Sequence, residues 1–512
     1  MKTVWLILIV VIELICAVYG YKILVVSPST SFSHFRLCST LAKGLAEAGH
    51  DVTMVGKFDD KVLPKNGKYR NVHLKHMVDG RDEENPNFFE MTKLNTFSEI
   101  YFVSSLGNLR TKATLEDPSF KELLRSNNTF DVIILEQFVN DGLKAIACHY
   151  NAPLIMFSPI AANFWVNSIS GNPGPPSYIP DLFEEYGPYM TFWQRTKNSL
   201  LLLFHILNKY FIIYPKQNEM VKQYFPECPD VETLSRNVSL FLLNSHQSFS
   251  QPVPLVPNMI DIGGFHVPRP RKLPDDLLNI MDNAKEGVIY FSMGSNIKPS
   301  EMEPRYKQAL VNALGKLKET VLWKYDEDLA EKSSNIIIRK WLPQMDILAH
   351  PNLKLFITHG GLLSTTETLH YGVPILALPV FGDQRLNAAK AVAAGYGLSL
   401  NFLDLTEDKF SSTLNELLRN PKYRENARRI SRLMHDRPIK PLDLAVYWTE
   451  FIVRHDGAPH LRVAAVDMPW YKYASIDVMV TLLSICLGTL TLLYLLVRKV
   501  CCRTSNVKIK KN

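Results

Sequence analysis

The first strand-to-helix turn of this sequence lacks glycine. The segment SPSTSFSHFR follows the first apolar run, and no glycine occurs between Gly20 and Gly44. A dinucleotide-binding domain uses the pattern Gly-x-Gly-x-x-Gly at this turn, because the backbone there must come close to a pyrophosphate. The missing glycines therefore argue against a dehydrogenase.

Cysteine is also scarce, with 7 residues in a chain of 512. Four of the seven lie in or beside the apolar segments at the two ends, which leaves Cys38, Cys148 and Cys228 in the body of the protein. An odd number of cysteines at wide spacing is not the pattern of a disulfide framework. We predict that these three are buried free thiols.

Acidic residues are absent from the end of the chain. The last residues carry six basic side chains, and these account for nearly all of the formal net charge of +7: Arg498, Lys499, Arg503, Lys508, Lys510 and Lys511. The rest of the chain is close to neutral. It offers no electrostatic support for a nucleic-acid partner.

Long uninterrupted apolar runs are confined to the two ends of the chain. Residues 1–20 combine a basic start, an apolar stretch and small residues, which predicts a secretory signal peptide. Residues 476–497 are apolar for about 20 positions, enough for a transmembrane helix. The basic residues after this helix predict a cytosolic tail at 498–512 and a lumenal body. The terminal KIKKN resembles a dilysine signal for retrieval to the endoplasmic reticulum.

Short apolar runs alternate with amphipathic helical patterns in both halves of the chain. KILVVS, DVTMVG, FDVIILE and APLIMFS are typical of buried parallel strands in the first half, and GVIYFSMG, TVLWKY, NIIIRKW, LKLFITH and VPILALP in the second. This alternation predicts an α/β fold with two doubly wound domains. The proline-rich stretch at 265–276 suits a linker between them.

The segment LKLFITHGGLLSTTE carries the features of an anion site. His359 ends the predicted strand, and Gly360 and Gly361 form a tight turn into a helix. Unpaired amides at a helix N-terminus bind phosphates. Two plainer interpretations remain open: an ordinary strand-to-helix connection, and a capping box in which Glu367 only bonds the helix backbone.

The longer segment from Phe356 to Gln384 resembles the signature of the membrane-bound UDP-glycosyltransferases. About thirteen constrained positions agree without a gap, from the Thr-His-Gly-Gly turn through Glu367 to the Asp383-Gln384 pair. FSMGS and WLPQMDILAHP extend the likeness upstream, and the insect members look most similar. The resemblance implies a GT-B-like fold: an N-terminal acceptor-binding domain at 21–264, a UDP-sugar-binding domain at 277–457, a juxtamembrane segment at 458–475 and a single membrane anchor.

The resemblance also implies the roles of the donor-site residues. Trp341 would stack on uracil, Gln344 would lie beside the base and ribose, and Glu367 would bind the ribose hydroxyls. His359, Ser295 and the helix N-terminus would hold the diphosphate, while Asp383 and Gln384 would bind the sugar. Vertebrate relatives often have asparagine where this chain has Leu363, so phosphate contacts would pass to Ser364, Thr365 or backbone amides.

On the acceptor side, the family places its general base at the position of His34. A histidine base is oriented by a carboxylate, and many relatives carry aspartate after the strand FDVIILE. This chain has Glu136 there, with Asp141 as a rival five residues later. We favour Glu136, and both remain open at this point.

The resulting hypothesis is an inverting glycosyltransferase that moves a hexose, glucose by resemblance, from a UDP-sugar to a hydroxyl of a small lipophilic acceptor. No metal or other cofactor is needed for this chemistry, and the Asp326-Glu327-Asp328 run is interpreted as a solvated helix start. A non-catalytic binding protein and a UDP-sugar epimerase are the alternatives. A homo-oligomer is compatible with the sequence. Asn127 and Asn237 begin glycosylation sequons that a lumenal chain could use.

Overall fold

The computed structural model describes residues 20–60, 62–77, 87–329 and 332–508. Within it the chain forms two compact units that divide after Arg462. The predicted signal peptide lies outside the described residues except for its last position, Gly20, and so do the last four residues of the chain.

The first half of the chain forms a seven-stranded parallel sheet. The strands are β1 (Lys22–Val26), β2 (Asp51–Gly56), β3 (Lys68–His73), β4 (Val132–Glu136), β5 (Leu154–Ser158), β6 (Val238–Leu243) and β7 (Met259–Asp261). Their order across the sheet is β3-β2-β1-β4-β5-β6-β7. The helices are α1 (Phe32–Glu47), α2 (Thr96–Glu116), α3 (Pro118–Arg125), α4 (Ala145–His149), α5 (Phe164–Ser170), α6 (Phe192–Asn208), α7 (Tyr214–Tyr224) and α8 (Val231–Arg236).

The second half forms a six-stranded parallel sheet. Its strands are β8 (Val288–Ser292), β9 (Thr320–Lys324), β10 (Ile336–Arg339), β11 (Leu353–Thr358), β12 (Ile375–Ala377) and β13 (Gly397–Ser399), in the order β10-β9-β8-β11-β12-β13. The helices are α9 (Asp275–Asn283), α10 (Pro304–Gly315), α11 (Gln344–Leu348), α12 (Leu362–Tyr371), α13 (Gln384–Ala393), α14 (Glu407–Arg419), α15 (Lys422–His435) and α16 (Pro441–Arg454).

The inner strands of both sheets are buried on both faces, which is why they are apolar at nearly every position. In β1, Leu24 and Val26 belong to one apolar cluster, whereas Ile23 and Val25 belong to another on the opposite face. In each sheet the strand order reverses at one point, between β1 and β4 and between β8 and β11. Ligands of doubly wound folds bind at such switch points, beyond the carboxyl ends of the strands. The predicted pair of doubly wound domains is confirmed.

Helix α16 lies within the predicted second domain, which ends at residue 457, but it packs against the first domain. This helix returns to the first sheet, where Ala445 and Ile452 join the cluster that contains Ile23. It passes so close to α1 that a Cβ at Gly44 would lie 2.6 Å from Leu442 Cδ1. An amphipathic helix stays with whichever apolar face it can cover, and here that face belongs to the first domain.

The prediction of three free thiols is wrong for two of them. Cys148, at the end of α4, and Cys228, between α7 and α8, form a disulfide with a Cα–Cα distance of 6.0 Å across a sequence separation of 80. Only Cys38 remains a buried free thiol among the described residues of this unit. Disulfides persist in oxidising compartments, so this one agrees with a lumenal body.

The second unit contains the short helix α17 (Trp470–Tyr473) and the long helix α18 (Ile476–Lys508). Residues Ile476–Cys501 of α18 are long and apolar enough to cross a membrane. The helix therefore covers the whole predicted transmembrane segment at 476–497.

Candidate active site

The loops beyond the two switch points line one cleft in the first unit. The cleft has a volume of about 1210 Å³ and receives residues from the carboxyl ends of β1, β4, β8, β9 and β11. Small-molecule pockets are typically about 300–1,000 Å³, so this space suits a ligand larger than a single metabolite.

A histidine–carboxylate pair stands on the wall formed by the first sheet. His34 lies in the first turn of α1, and its Nδ1 is 2.5 Å from Glu136 Oε1 at the end of β4. Glu136 is fully buried, whereas the His34 side chain keeps 20% of its surface exposed in the cleft. A carboxylate accepts hydrogen bonds, so His34 donates from Nδ1, and in the neutral ring Nε2 carries the lone pair. In that form the pair could accept a proton from a ligand.

Other groups fix the carboxylate of this pair. Ser27 Oγ, just beyond β1, donates to Glu136 Oε2 over 2.6 Å. The Cys38 thiol lies 4.0 Å from the same oxygen, and burial together with the Glu136 charge raises the pKa of that thiol. Phe138 packs edge-on against the His34 ring at 4.9 Å. The glutamate thus has one oxygen for His34 and the other for Ser27.

Asp141, the rival partner of His34, has other contacts. Its carboxylate pairs with the ammonium of the fully buried Lys144 and accepts from Gln137 Nε2 at 3.4 Å. Lys144 in turn donates to Ser235 Oγ at 2.8 Å. The structure therefore assigns Asp141 to a buried polar cluster, and Glu136 is the carboxylate that contacts His34.

The turn after β11 forms the opposite wall, where His359 is packed between glycines. A Cβ at Gly361 would clash with His359 Nε2, and one at Gly294 would lie 2.6 Å from its Cε1. Burial, and then the positive charge of Lys324, lower the pKa of His359 to about 4. The ring is therefore neutral near pH 7 and offers a phosphate one N–H donor rather than a full charge.

Glu367 lies inside α12 and does not form the capping box that STTE suggested. The helix begins at Leu362, so Ser364 is already in its first turn. Glu367 Oε2 accepts from Gln344 Nε2 at 2.6 Å, and Arg36 of α1 lies 3.8 Å from Oε1. Burial raises the pKa of this carboxyl group, although Arg36 and Gln344 oppose the shift.

The second oxygen of Glu367 is buried and accepts a hydrogen bond from none of the described residues. His266 approaches it to 3.9 Å, which is beyond hydrogen-bonding distance. Burial lowers the pKa of His266 to about 3, so that ring is neutral. A buried acceptor without a donor is costly unless a ligand supplies one, and the hydroxyls of a ribose would do so.

The aromatic ring of Trp341 is available to a planar ligand. Trp341 is 63% exposed, so it is not part of the apolar core. Lys324 Nζ lies 4.9 Å from the ring centroid and donates to Gly294 O at 2.7 Å. Gln344 is nearby, held by Tyr290 at 3.2 Å and by Glu367.

The hydroxyl groups of Ser295, Ser364 and Thr365 differ in whether they remain free to bond a ligand. Thr365 Oγ1 donates back to Gly361 O at 3.0 Å, and Ser364 Oγ accepts from Gln344 at 3.2 Å. Ser295 lines the cleft after β8. With Leu363 in place of an amide side chain, the backbone amides at the start of α12 and the Ser364 hydroxyl remain for a phosphate.

Asp383 and Gln384 stand where the loop after β12 enters α13. Asp383 Oδ2 accepts from Asn387 Nδ2 at 2.7 Å, so its carboxylate does not cap the helix backbone. Burial raises its pKa, while Asn387 and the nearby His34 lower it. Gln384 Oε1 accepts from Val380 N at 2.8 Å. The Gln384 carbonyl is thus used by its own loop, and its NH₂ group is the part left for a ligand.

Two basic residues of the site did not emerge from the sequence. Lys324 ends β9 at the carboxyl edge of the sheet, so the same rule that found His359 could have found it. Arg36 lies two residues after His34 in α1. It approaches Glu367 of α12, so this contact connects helices of the two domains. No local pattern in the sequence reports such a contact.

Known structures share this architecture. Over 85% of this chain and 99% of the other, it is similar to the spinosyn forosaminyltransferase SpnP, with a TM-score of 0.54 and 19% identity. The calicheamicin glycosyltransferase CalG4 gives a TM-score of 0.54 at 17% identity, over 86% of this chain and 100% of that one. Two parallel, doubly wound sheets that open on one cleft define the GT-B class of glycosyltransferase fold.

Sequence comparison narrows the class to a family. The model described as UDP-glucoronosyl and UDP-glucosyl transferase matches residues 21–511. The chain is 37% identical to UDP-glycosyltransferase UGT5 of Dactylopius coccus over 486 residues, 94% of this chain and 92% of that protein. It is 33% identical to UDP-glucuronosyltransferase 1A6 of Homo sapiens over 494 residues, 92% and 90% of the two chains. The chain belongs to this family and is a UDP-glycosyltransferase.

Proposed function

We propose that this enzyme transfers a hexose, with glucose as the first candidate, from a UDP-sugar to a hydroxyl of a small lipophilic acceptor. One observation carries the proposal: the His34–Glu136 pair shares a cleft with the Glu367 and Asp383 carboxylates that suit a nucleotide sugar. A relative named UDP-glucosyltransferase 2, from Dactylopius coccus, is 34% identical over 96% of this chain. That name supports glucose ahead of glucuronate.

The proposed reaction inverts the anomeric carbon. His34 Nε2 takes the proton of the acceptor hydroxyl as its oxygen attacks the anomeric carbon, and the bond from that carbon to the diphosphate breaks on the opposite face. Glu136 stabilises the imidazolium that forms. His359 and the amides at the start of α12 donate hydrogen bonds to the departing diphosphate, and Lys324 supplies a positive charge beside it. These groups supply the electrostatic stabilisation that a cation gives elsewhere, so we propose that no metal is required.

The acceptor is proposed to be lipophilic because apolar side chains line the cleft around His34. Phe138 packs on the His34 ring, and Phe102, Val103, Leu106 and Ile160 line the same wall. An apolar wall beside one proton acceptor selects ligands with a large apolar body and a single reactive hydroxyl.

A donor and acceptor screen tests the proposal. Purified full-length protein is incubated with UDP-glucose, UDP-galactose or UDP-glucuronate and a panel of phenols and aliphatic alcohols, and products are identified by mass spectrometry. We expect a hexoside with UDP-glucose and unchanged activity in EDTA. The proposal fails if no donor gives a glycoside and UDP does not raise the unfolding temperature.

We further propose a type I membrane orientation in the endoplasmic reticulum, with the body in the lumen. The apolar stretch Ile476–Cys501, the basic residues after it and the Cys148–Cys228 disulfide support this placement. Asn127 is exposed in a loop before β4. Asn237 is exposed as well, and its Oδ1 accepts a hydrogen bond from Arg462 over 3.0 Å.

The lumenal placement predicts that Asn127 carries a glycan. Endoglycosidase H is expected to increase the electrophoretic mobility of the expressed chain, because glycans of proteins retained in the endoplasmic reticulum stay sensitive to it. Asn127→Gln should remove most of this shift, and Asn237→Gln is the matched control at the sequon whose asparagine is bonded to Arg462 and whose Ser239 is buried. A chain that shows no shift in either form would contradict the lumenal placement.

A further inference from the structure

The loop that carries Asp383 and Gln384 is held by residues of the first domain. We call Phe381–Arg385 the sugar loop. Glu99, in the first turn of α2, accepts a hydrogen bond from Gly382 N through Oε1 and pairs with Arg385 through Oε2. These two contacts lie on either side of Asp383 and Gln384. One carboxylate thus holds both ends of the pair.

Glu99 is an unusual residue to find at this position, because its side chain has no exposed surface. Buried carboxylates are costly unless charged or N–H donors surround them, and here a guanidinium and a backbone amide do so. Arg385 keeps 21% of its side-chain surface exposed and also donates to Phe183 O at 3.3 Å. The arrangement is therefore a fixed two-point clamp rather than a surface ion pair.

A ring contact supports the same loop from the same side. Phe88 stacks on Phe381 with centroids 4.7 Å apart and planes inclined by 21°. Phe89, the next residue, is buried in the apolar core of the second domain beside Phe402 at 5.0 Å. The segment that leads into α2 is thus anchored on the donor domain.

The sugar loop contributes little rigidity of its own. Gly382 has φ +66°, a left-handed conformation that glycine adopts without steric cost. The loop before Gln384, where α13 begins, belongs to no strand or helix. Its internal support comes from Gln384 Oε1, which accepts from Val380 N and Phe381 N at 2.8 and 3.2 Å. The position of Asp383 therefore depends on contacts from outside the loop: those from Asn387 of α13 and those that Glu99 makes with Gly382 and Arg385.

We propose that Glu99 is a positioning residue for the donor sugar, and that residues Phe88–Glu99 of the acceptor domain thereby set how strictly the enzyme distinguishes one UDP-hexose from another. This inference rests on the proposed function, in which Asp383 and Gln384 bind the sugar hydroxyls. A misplacement of about 1 Å in such groups can lower the rate about 100-fold. UDP itself lacks the sugar, so its binding should not depend on contacts with the sugar hydroxyls.

The test compares Glu99→Ala and Glu99→Gln in the full-length enzyme with Glu116→Gln, an exposed glutamate at the other end of α2. We expect Glu99→Ala to lower kcat/KM for the preferred UDP-hexose by about 100-fold and to leave the Kd for UDP within about two-fold. The ratio of kcat/KM values for UDP-glucose and UDP-galactose should move towards one. Glu99→Gln, which keeps an acceptor for Gly382 N, should recover part of both effects, and Glu116→Gln should change neither.

Arg385→Gln provides a second variant, and it creates no cavity in a fully buried position because the Arg385 side chain is partly exposed. It should reproduce the loss of sugar discrimination, and the double variant with Glu99→Gln should be no worse than the more affected single variant. The inference is overturned if Glu99→Ala weakens UDP and UDP-hexose binding equally, or if it leaves sugar discrimination intact. If the wild-type chain neither transfers a sugar nor binds UDP, the proposed function itself has failed.

Discussion

Replacing His34 with alanine is expected to abolish detectable sugar transfer while leaving UDP bound with unchanged affinity. The imidazole is the group in contact with the buried Glu136, and a positioned general base contributes about 10²–10⁴ in rate. The residues suited to the nucleotide, among them Glu367 and His359, belong to the other domain and do not depend on the His34 imidazole for their hydrogen bonds. Initial rates and calorimetric titration with UDP measure the two quantities separately.

Two variants sharpen this experiment. Glu136→Gln should also lower kcat with little change in KM, because an amide can donate to Nδ1 and then stabilises the wrong tautomer. His149→Ala is the matched control, since His149 also lies beside a carboxylate, Glu227 at 3.4 Å, but outside the cleft. A His34→Ala rate that stays above about one hundredth of the wild-type rate would rule out this base. A wild-type chain that binds UDP without any transfer would instead favour the non-catalytic binding protein.

The fold could be predicted from the sequence because its strands are buried on both faces. Such strands are continuous apolar runs, and VIILE and LIMFS are examples that no surface strand would tolerate. The strand β3, KYRNVH, escaped prediction since it is an edge strand with mixed burial. The three-residue strands β7 and β13 are too short to show any period.

The residues proposed to bind the donor could be picked out because several of them are close together in sequence. From Phe356 to Gln384 the chain passes strand, turn, helix and strand, so one motif contains several side chains that line the same cleft. The choice between Glu136 and Asp141 could not be made in this way. It depends on Lys144 and Ser235, 91 residues apart, which together hold Asp141 in a different cluster.

The contacts between the two domains were not predictable from a single sequence. Glu99 and Arg385 are separated by 286 positions, and neither residue type is unusual in its local segment. Similarly, Asn296 Nδ2 donates to Ser31 Oγ over 3.0 Å across 265 positions. The pattern of a helix or strand specifies which face is buried but not which partner covers it. The cysteines illustrate the same limit. Their odd number predicted free thiols, whereas Cys148 and Cys228 form a disulfide.

Loss of the Cys148–Cys228 disulfide is expected to lower the free energy of unfolding of the first domain by about 2–5 kcal/mol. Closing a loop of 80 residues restricts the unfolded chain, and the chain-entropy relation gives about 4.5 kcal/mol for that length. The Cys148→Ser/Cys228→Ser double variant should therefore unfold at a clearly lower temperature or denaturant concentration. Neither cysteine lines the cleft, so the affinity for UDP at a temperature where the protein is folded should not change.

Reducing agent provides the control for this variant. Dithiothreitol should lower the unfolding midpoint of the wild-type protein towards that of the double variant and leave the double variant unaffected, because the Cys148–Cys228 bond is present only in the former. Cys486→Ser, in the C-terminal helix, tests whether a thiol-to-hydroxyl change alone has an effect. If reduction leaves the wild-type midpoint unchanged, the two cysteines are not joined in the native protein. The disulfide would then no longer support the placement of the body in the oxidising lumen.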